Sequence, residues 1–80
     1  MHDQIFASVQ DVVRGVFNNP RIALTKETTA ADVTEWTSLN HINLIVALEQ
    51  KFDVTFDLGE VEDLRNIGEL VGLIAEKRTH

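Results

Sequence analysis

The hydroxyl of Ser38 and the imidazole of His41 are the groups to which chemistry is most readily assigned. They lie one helical turn apart in the stretch EWTSLNHINLIVALEQKF, residues 35–52. Side chains three apart on a helix can touch, so a serine nucleophile with a histidine base is the first chemistry to weigh. It fails on its surroundings. No third residue is indicated to orient the histidine, and the serine lacks the G-x-S-x-G turn that exposes a nucleophile. No catalytic residue is expected, and the chain is not read as an enzyme. A serine at a helix start is more often a cap than a reactive group.

Metal chemistry fares no better. His2, His41 and His80 are scattered without zinc-ligand spacing. The segment DVTFDLGEVEDL has acids in the density of a calcium loop. It has no glycine at its sixth position, and its twelfth is Leu64 rather than glutamate. No metal site is expected.

The elements that must position Ser38 follow from size and pattern. Eighty residues make one domain, spanning 1–80, with no room for a second core. There is no cysteine, so no disulfide can help, and a hydrophobic content of 44% must supply the core. That fits a reducing compartment. A net charge of −6 argues against nucleic acid, which needs clustered Lys and Arg, and against anionic lipid. The N-terminal MHDQIFASVQ has an early acid and no long apolar block, so neither a signal peptide nor a membrane span is expected. The expected location is the cytoplasm.

Apolar spacing predicts helices over 3–17, 38–51 and 67–78. Ile5, Val9, Val12, Val13 and Val16 form the first stripe, with Phe6 and Phe17 beside it. Asp3 is the expected N-cap, and Asn18, Asn19 and Pro20 the stop. Residues 18–37 are a long connection pinned by Ile22, Leu24, Val33 and Trp36, with a short turn near 30–33. Thr37 is the expected cap of the second helix. Val61 and Leu64 allow a turn or two of a short third helix. Phe52, Val54 and Phe56 alternate as a strand would, but nothing else in the chain could pair with them. Ile67, Leu70, Val71 and Ile74 make the last stripe, behind an Asn66–Glu69 capping pair and ahead of Lys77 and Arg78. The fold class is all-α: a small four-helix bundle of three main helices and a short third one, with a long first loop.

On a wheel of roughly 100° per residue the second helix carries two apolar stripes. Leu44, Ile45, Leu48 and Phe52 gather on one side, and Leu39, Ile42 and Val46 nearly opposite. Two readings stay open. A central helix can be buried nearly all round, or the stripe that starts beside Ser38 can remain exposed as a docking surface.

The stretch WTSLNHINLIVALEQKF resembles the acyl carrier protein signature, with an acidic residue, serine and leucine opening a second helix of the same rhythm that ends in phenylalanine. The likeness runs the length of the chain and includes the order of helices, the long loop and the negative charge. It implies a carrier of acyl intermediates in fatty-acid, polyketide or related specialised synthesis. Ser38 aligns with the attachment serine, to which a phosphopantetheinyl transferase would join 4′-phosphopantetheine from coenzyme A, with Thr37 and Leu39 flanking the cofactor. The arm would present its thioester to acyl-transferring and acyl-modifying enzymes. Leu39, Ile42, Val46 and Glu49 are the implied partner contacts, and a monomer is implied. An aminoacyl or peptidyl carrier, or a carrier-like module that is never modified, is the alternative.

The sequence departs from that family in charge. Thr37 stands where aspartate usually precedes the serine. Asn40, Asn43, Gln50 and Lys51 stand where carboxylates are common, and the acids lie instead at Asp53, Asp57, Glu60, Glu62 and Asp63. A specialised carrier with dedicated partners is the expectation.

Overall fold

The first helix forms because four apolar side chains recur every fourth residue and find a common core. A computed structural model describes residues 2–78, and α1 runs His2–Val16. Ile5, Val9, Val13 and Phe17 are buried, while Val12 and Val16 pack at the edge of the same cluster. β-Branched residues are modest helix formers, and burial of this stripe overrides that preference. The helix begins one residue before the expected start. Asp3 therefore sits inside the first turn and not at the cap, where its charge still meets the positive end of the helix dipole. Asn18 ends the helix in a left-handed conformation, φ 55°. Asparagine tolerates that region better than most residues. The Asn19 N–H then closes on the Arg14 carbonyl at 3.0 Å.

The long connection is tied down along its length. Ile22 and Leu24 are buried in the core. Arg14 Nε donates to the Ile22 carbonyl (2.6 Å), and the Leu24 N–H donates to Gln10 Oε1 (2.8 Å). A 3₁₀ turn occupies Ala30–Asp32, where the short turn was expected, and the Asp32 carboxylate accepts from the Thr29 N–H at 3.0 Å.

Helix α2 spans Ser38–Phe52, α3 spans Leu58–Glu62 and α4 spans Ile67–Arg78. No strand occurs among the described residues, in keeping with the rejected pairing at 52–56. Helix α1 packs on both α2 and α4. Leu44 and Leu48 of α2 and Ile67, Leu70, Val71 and Ile74 of α4 fill the space between them. Helix α3 is a five-residue segment. It contributes Val61 to the core, and Leu64 falls beyond its end. His80 lies outside the described residues.

The caps of α4 differ in detail from the sequence pattern. Asn66 Oδ1 accepts from the Glu69 N–H (2.9 Å), but the Glu69 carboxylate reaches back to the Arg65 N–H (3.1 Å) and not to that of Asn66. Loop carbonyls satisfy the next two donors. Ile67 N–H bonds to Thr28 O at 2.9 Å, and Gly68 N–H to Lys26 O at 2.8 Å. A side chain at 68 would begin 3.1 Å from that Lys26 oxygen, so glycine is what lets loop and helix approach.

At the other end Lys77 Nζ lies 2.7 Å from Glu60 Oε1 and 5.8 Å from the centre of the Phe56 ring. The hydrogen bond from Lys77, helped by the Asp57 N–H, holds the Glu60 carboxyl below its usual value of 4.5. A lowered folded-state value means that this group's stabilisation is present above the unfolded value and fades as pH falls through the folded one. Unfolding midpoints measured against pH should show Glu60→Gln less stable than the parent at neutral pH. The gap should close as pH drops below about 4.5. A gap constant across that window would show that the carboxylate's charge contributes nothing.

Candidate functional site

Helix α2 begins as its sequence predicts. Thr37 is extended (φ −89°, ψ 172°), and its hydroxyl accepts from the Asn40 N–H at 3.2 Å. Its carbonyl takes the His41 N–H at 2.8 Å. Ser38 is thereby the first helical residue. The backbone N–H groups of Ser38 and Leu39 belong to the unsatisfied donors of the first turn, which, with the dipole, favour an anion. Ser38 is exposed, and its hydroxyl has no hydrogen-bond partner among the described residues.

The approach to this turn is fixed by side chains. Asn40 Nδ2 donates to the Glu35 carbonyl (2.8 Å), and Asn19 Nδ2 donates to Glu35 Oε2 (2.7 Å). Trp36 packs edge-on to Phe17, with ring centres 5.6 Å apart, and stacks on His41 at 6.2 Å. Its Nε1–H donates to His41 Nδ1 at 3.0 Å. The histidine one turn from Ser38 is thus engaged with tryptophan and not with the serine. That removes the contact the serine–histidine chemistry required.

The two faces of α2 separate cleanly. Leu44 and Leu48 are wholly buried, with Ile45 and Phe52 half-buried beside them. Leu39, Ile42 and Val46 are 69%, 61% and 47% exposed. Of the two readings of the second stripe, burial all round is therefore excluded. Glu49 is only half-exposed and is turned to an internal task. Its carboxylate accepts from the Phe56 N–H (2.9 Å), and its carbonyl takes the N–H groups of Asp53 and Val54 as the chain leaves the helix. Asp53 makes that exit in a left-handed conformation, φ 55°.

Ser38 opens onto a groove of about 460 Å³ between the N-terminal part of α2 and the α3 side, bordered by Trp36, Thr37, Ile42, Val61 and Glu62. A smaller apolar cavity of about 80 Å³ lies deeper, walled by Leu44, Ile45, Leu64 and Leu70. Sequence reasoning found Ser38, Thr37 and the exposed strip. It missed the Trp36–His41 bond, for which the five-residue separation across a helix start gave no periodic signal. Among the described residues no three His, Asp or Glu side chains gather as a metal site, and no helix is long and apolar enough to cross a membrane.

The groups around Ser38 suit a phosphodiester: a free primary hydroxyl, two unsatisfied N–H donors and an open groove. The chain as a whole is similar to known proteins. The family model described as the phosphopantetheine attachment site matches residues 7–74. The acyl carrier protein of Picosynechococcus sp. is 25% identical over 77 residues, covering 96% of this chain and 95% of its own. That of an Exiguobacterium species is 29% identical over 75 residues, covering 94% and 95%. The solution structure of the holo acyl carrier protein from Geobacter metallireducens superposes with a TM-score of 0.87 at 40% identity, over 92% of this chain and 85% of that one.

If the Thr37 hydroxyl is the working cap, Thr37→Ala should lower unfolding stability by about 1 kcal/mol, and Thr37→Asp should keep it near the parent. Urea denaturation of the three proteins reads this directly, and an alanine variant as stable as the parent would contradict it. With its fold, its free hydroxyl at the head of α2 and matches over nearly its whole length, this chain belongs to the acyl carrier protein family, whose cofactor is covalently attached 4′-phosphopantetheine.

Proposed function

We propose that Ser38 is the attachment point of the phosphopantetheine arm and that the chain carries acyl groups as thioesters for a dedicated, specialised set of enzymes. The observation that carries this is the unpartnered, exposed Ser38 hydroxyl at the first position of α2. When bound, the group supplies the thiol that a chain without cysteine lacks.

Loading balances as a phosphoryl transfer. Ser38 Oγ bonds to the phosphorus that bears pantetheine, and the pyrophosphate linkage of coenzyme A breaks. Adenosine bisphosphate leaves, and the hydroxyl proton passes to a base on the transferase. This chain's part is to hold Oγ free. The Ser38 and Leu39 N–H groups face the new diester's charge, and Thr37 keeps the first turn wound so that those donors point outward. The nearest preceding acid, Glu35, is bound to Asn19. Thr37 brings no charge of its own, so the transferase must supply the electrostatics that an aspartate there would have provided.

Partner docking follows the exposed strip. Residues 38–52 hold one acid, Glu49, and one base, Lys51, so the helix is formally neutral although the chain is at −6. Leu39, Ile42 and Val46 would bind by burying apolar area. Glu49, tied to Phe56, serves chiefly to keep the far end of that surface in place. Both roles suit partners matched to this helix rather than generic ones that seek carboxylates.

Incubation with coenzyme A and a promiscuous transferase should add one phosphopantetheine mass, absent from Ser38→Ala. No gain, or a gain that survives the alanine, would dismiss the assignment and favour an unmodified interaction module. Thr37→Asp should load faster than the parent. Equal rates would mean that the missing charge has no part in recognition.

Affinity for a cognate partner should change less than about threefold between low and physiological salt, because exposed charge contributes little here. Val46→Asp should weaken binding at every salt concentration. Titration calorimetry distinguishes the two behaviours, and steep salt dependence would contradict apolar docking.

A further inference from the structure

Three concavities follow one another along α2, and His41 lines all of them. It borders the groove at Ser38, the inner cavity, and a shallower depression beside Val46 and Phe56. Trp36 shares the first two, so indole and imidazole together form the wall between the groove and the inner cavity. That wall is rigidly held. Trp36 is wedged against Phe17, stacked on His41 and bonded to it at 3.0 Å.

The bond has a chemical consequence. A ring nitrogen that accepts a hydrogen bond carries no proton, so the neutral His41 ring bears its hydrogen on Nε2. That N–H meets no acceptor among the described residues. The result is a donor of fixed tautomer, one helical turn from Ser38, beside a space whose lining is mostly apolar (Leu44, Ile45, Leu64 and Leu70) but also includes Arg65 and Asn66. An apolar cargo entering that space displaces water from the donor, and a displaced donor must find a new acceptor or cost stability. The cavity, about 80 Å³, is about half the volume of the engineered apolar cavity that admits benzene. By that ratio it accepts a tail of about three carbons, the length of a butanoyl group beyond its carbonyl, and a longer chain does not fit with its carbonyl at His41.

We propose that His41 is a specificity-determining residue for the cargo, its Nε2–H receiving the carbonyl oxygen of a short-chain thioester whose tail fills the inner cavity, with Trp36 as the residue that positions it. This rests on Ser38 bearing the arm, and the test separates the two claims. The parent protein, His41→Phe, His41→Gln and Trp36→Phe are each loaded from butanoyl- and octanoyl-coenzyme A. Intact mass confirms loading before anything else is read.

Nitrogen-15 spectra of the unloaded parent should show the Nε2–H tautomer. Butanoyl loading should shift the His41 Nε2 and Trp36 indole N–H signals, and octanoyl loading should shift them less. Hydroxylamine should cleave the butanoyl thioester about fivefold more slowly than the octanoyl one, because one net hydrogen bond favours by that factor the seated conformer, in which the carbonyl is withdrawn from the nucleophile. His41→Gln, which retains a donor, should keep that difference, and His41→Phe should abolish it. Trp36→Phe leaves the histidine in place but frees its tautomer, and should give mixed tautomers with reduced protection even if His41→Phe does not fold.

Failure of the parent protein to load overturns the carrier reading and this one with it. Normal loading with unmoved imidazole signals, or with full protection in His41→Phe, overturns the His41 assignment alone.

Discussion

The structure depends on how a twenty-residue connection, 18–37, is kept from wandering, because Ser38 stands where that connection ends. Backbone and side-chain bonds from the helices hold it at five residues, Ile22, Leu24, Lys26, Thr28 and Glu35. Arg14 and Gln10 of α1 grip its first part, and the first N–H groups of α4 grip its middle through Lys26 and Thr28. Asn40 of α2 grips its end at Glu35. Each of the three long helices thus contributes a tether. Most of these use groups that a helix terminus would otherwise leave unsatisfied or that a surface side chain would give to water. Ile22 and Leu24 add burial, so the tethers work on a segment already drawn to the core. The exposed hydroxyl is therefore presented on a firm edge, as a group must be if separate macromolecules are to address it in turn.

Much of this was legible in residue order. The buried stripes of α1 and α4, the Thr37 cap and the split of α2 into Leu44–Leu48 and Leu39–Ile42–Val46 faces all follow from helical periodicity, which is local and repeats. The features that escaped are single, non-repeating contacts between segments. Gln10 to Leu24, Lys26 to Gly68 and Trp36 to His41 each join residues whose types alone do not announce a partner. The Glu49 to Phe56 bond is a further contact of this kind. A left-handed exit at Asp53 folds the following residues back within reach of the Glu49 carboxylate.

The redistribution of charge gives the molecule two unlike sides. The α2 face is neutral and apolar, while Asp53, Asp57, Glu62 and Asp63 are exposed on and around α3. Glu60 is drawn out of this group by Lys77. Charge acts over about a Debye length and apolar surface only at touching distance, so the two sides differ in reach.

Gly68 has a reach beyond its own surroundings. It is half-exposed and distant in sequence from the attachment serine, yet its missing side chain is the gap into which the Lys26 carbonyl fits. A side chain there would ask the Lys26 carbonyl to give by a few tenths of an ångström, at a point where the segment that ends at Ser38 is tied to α4.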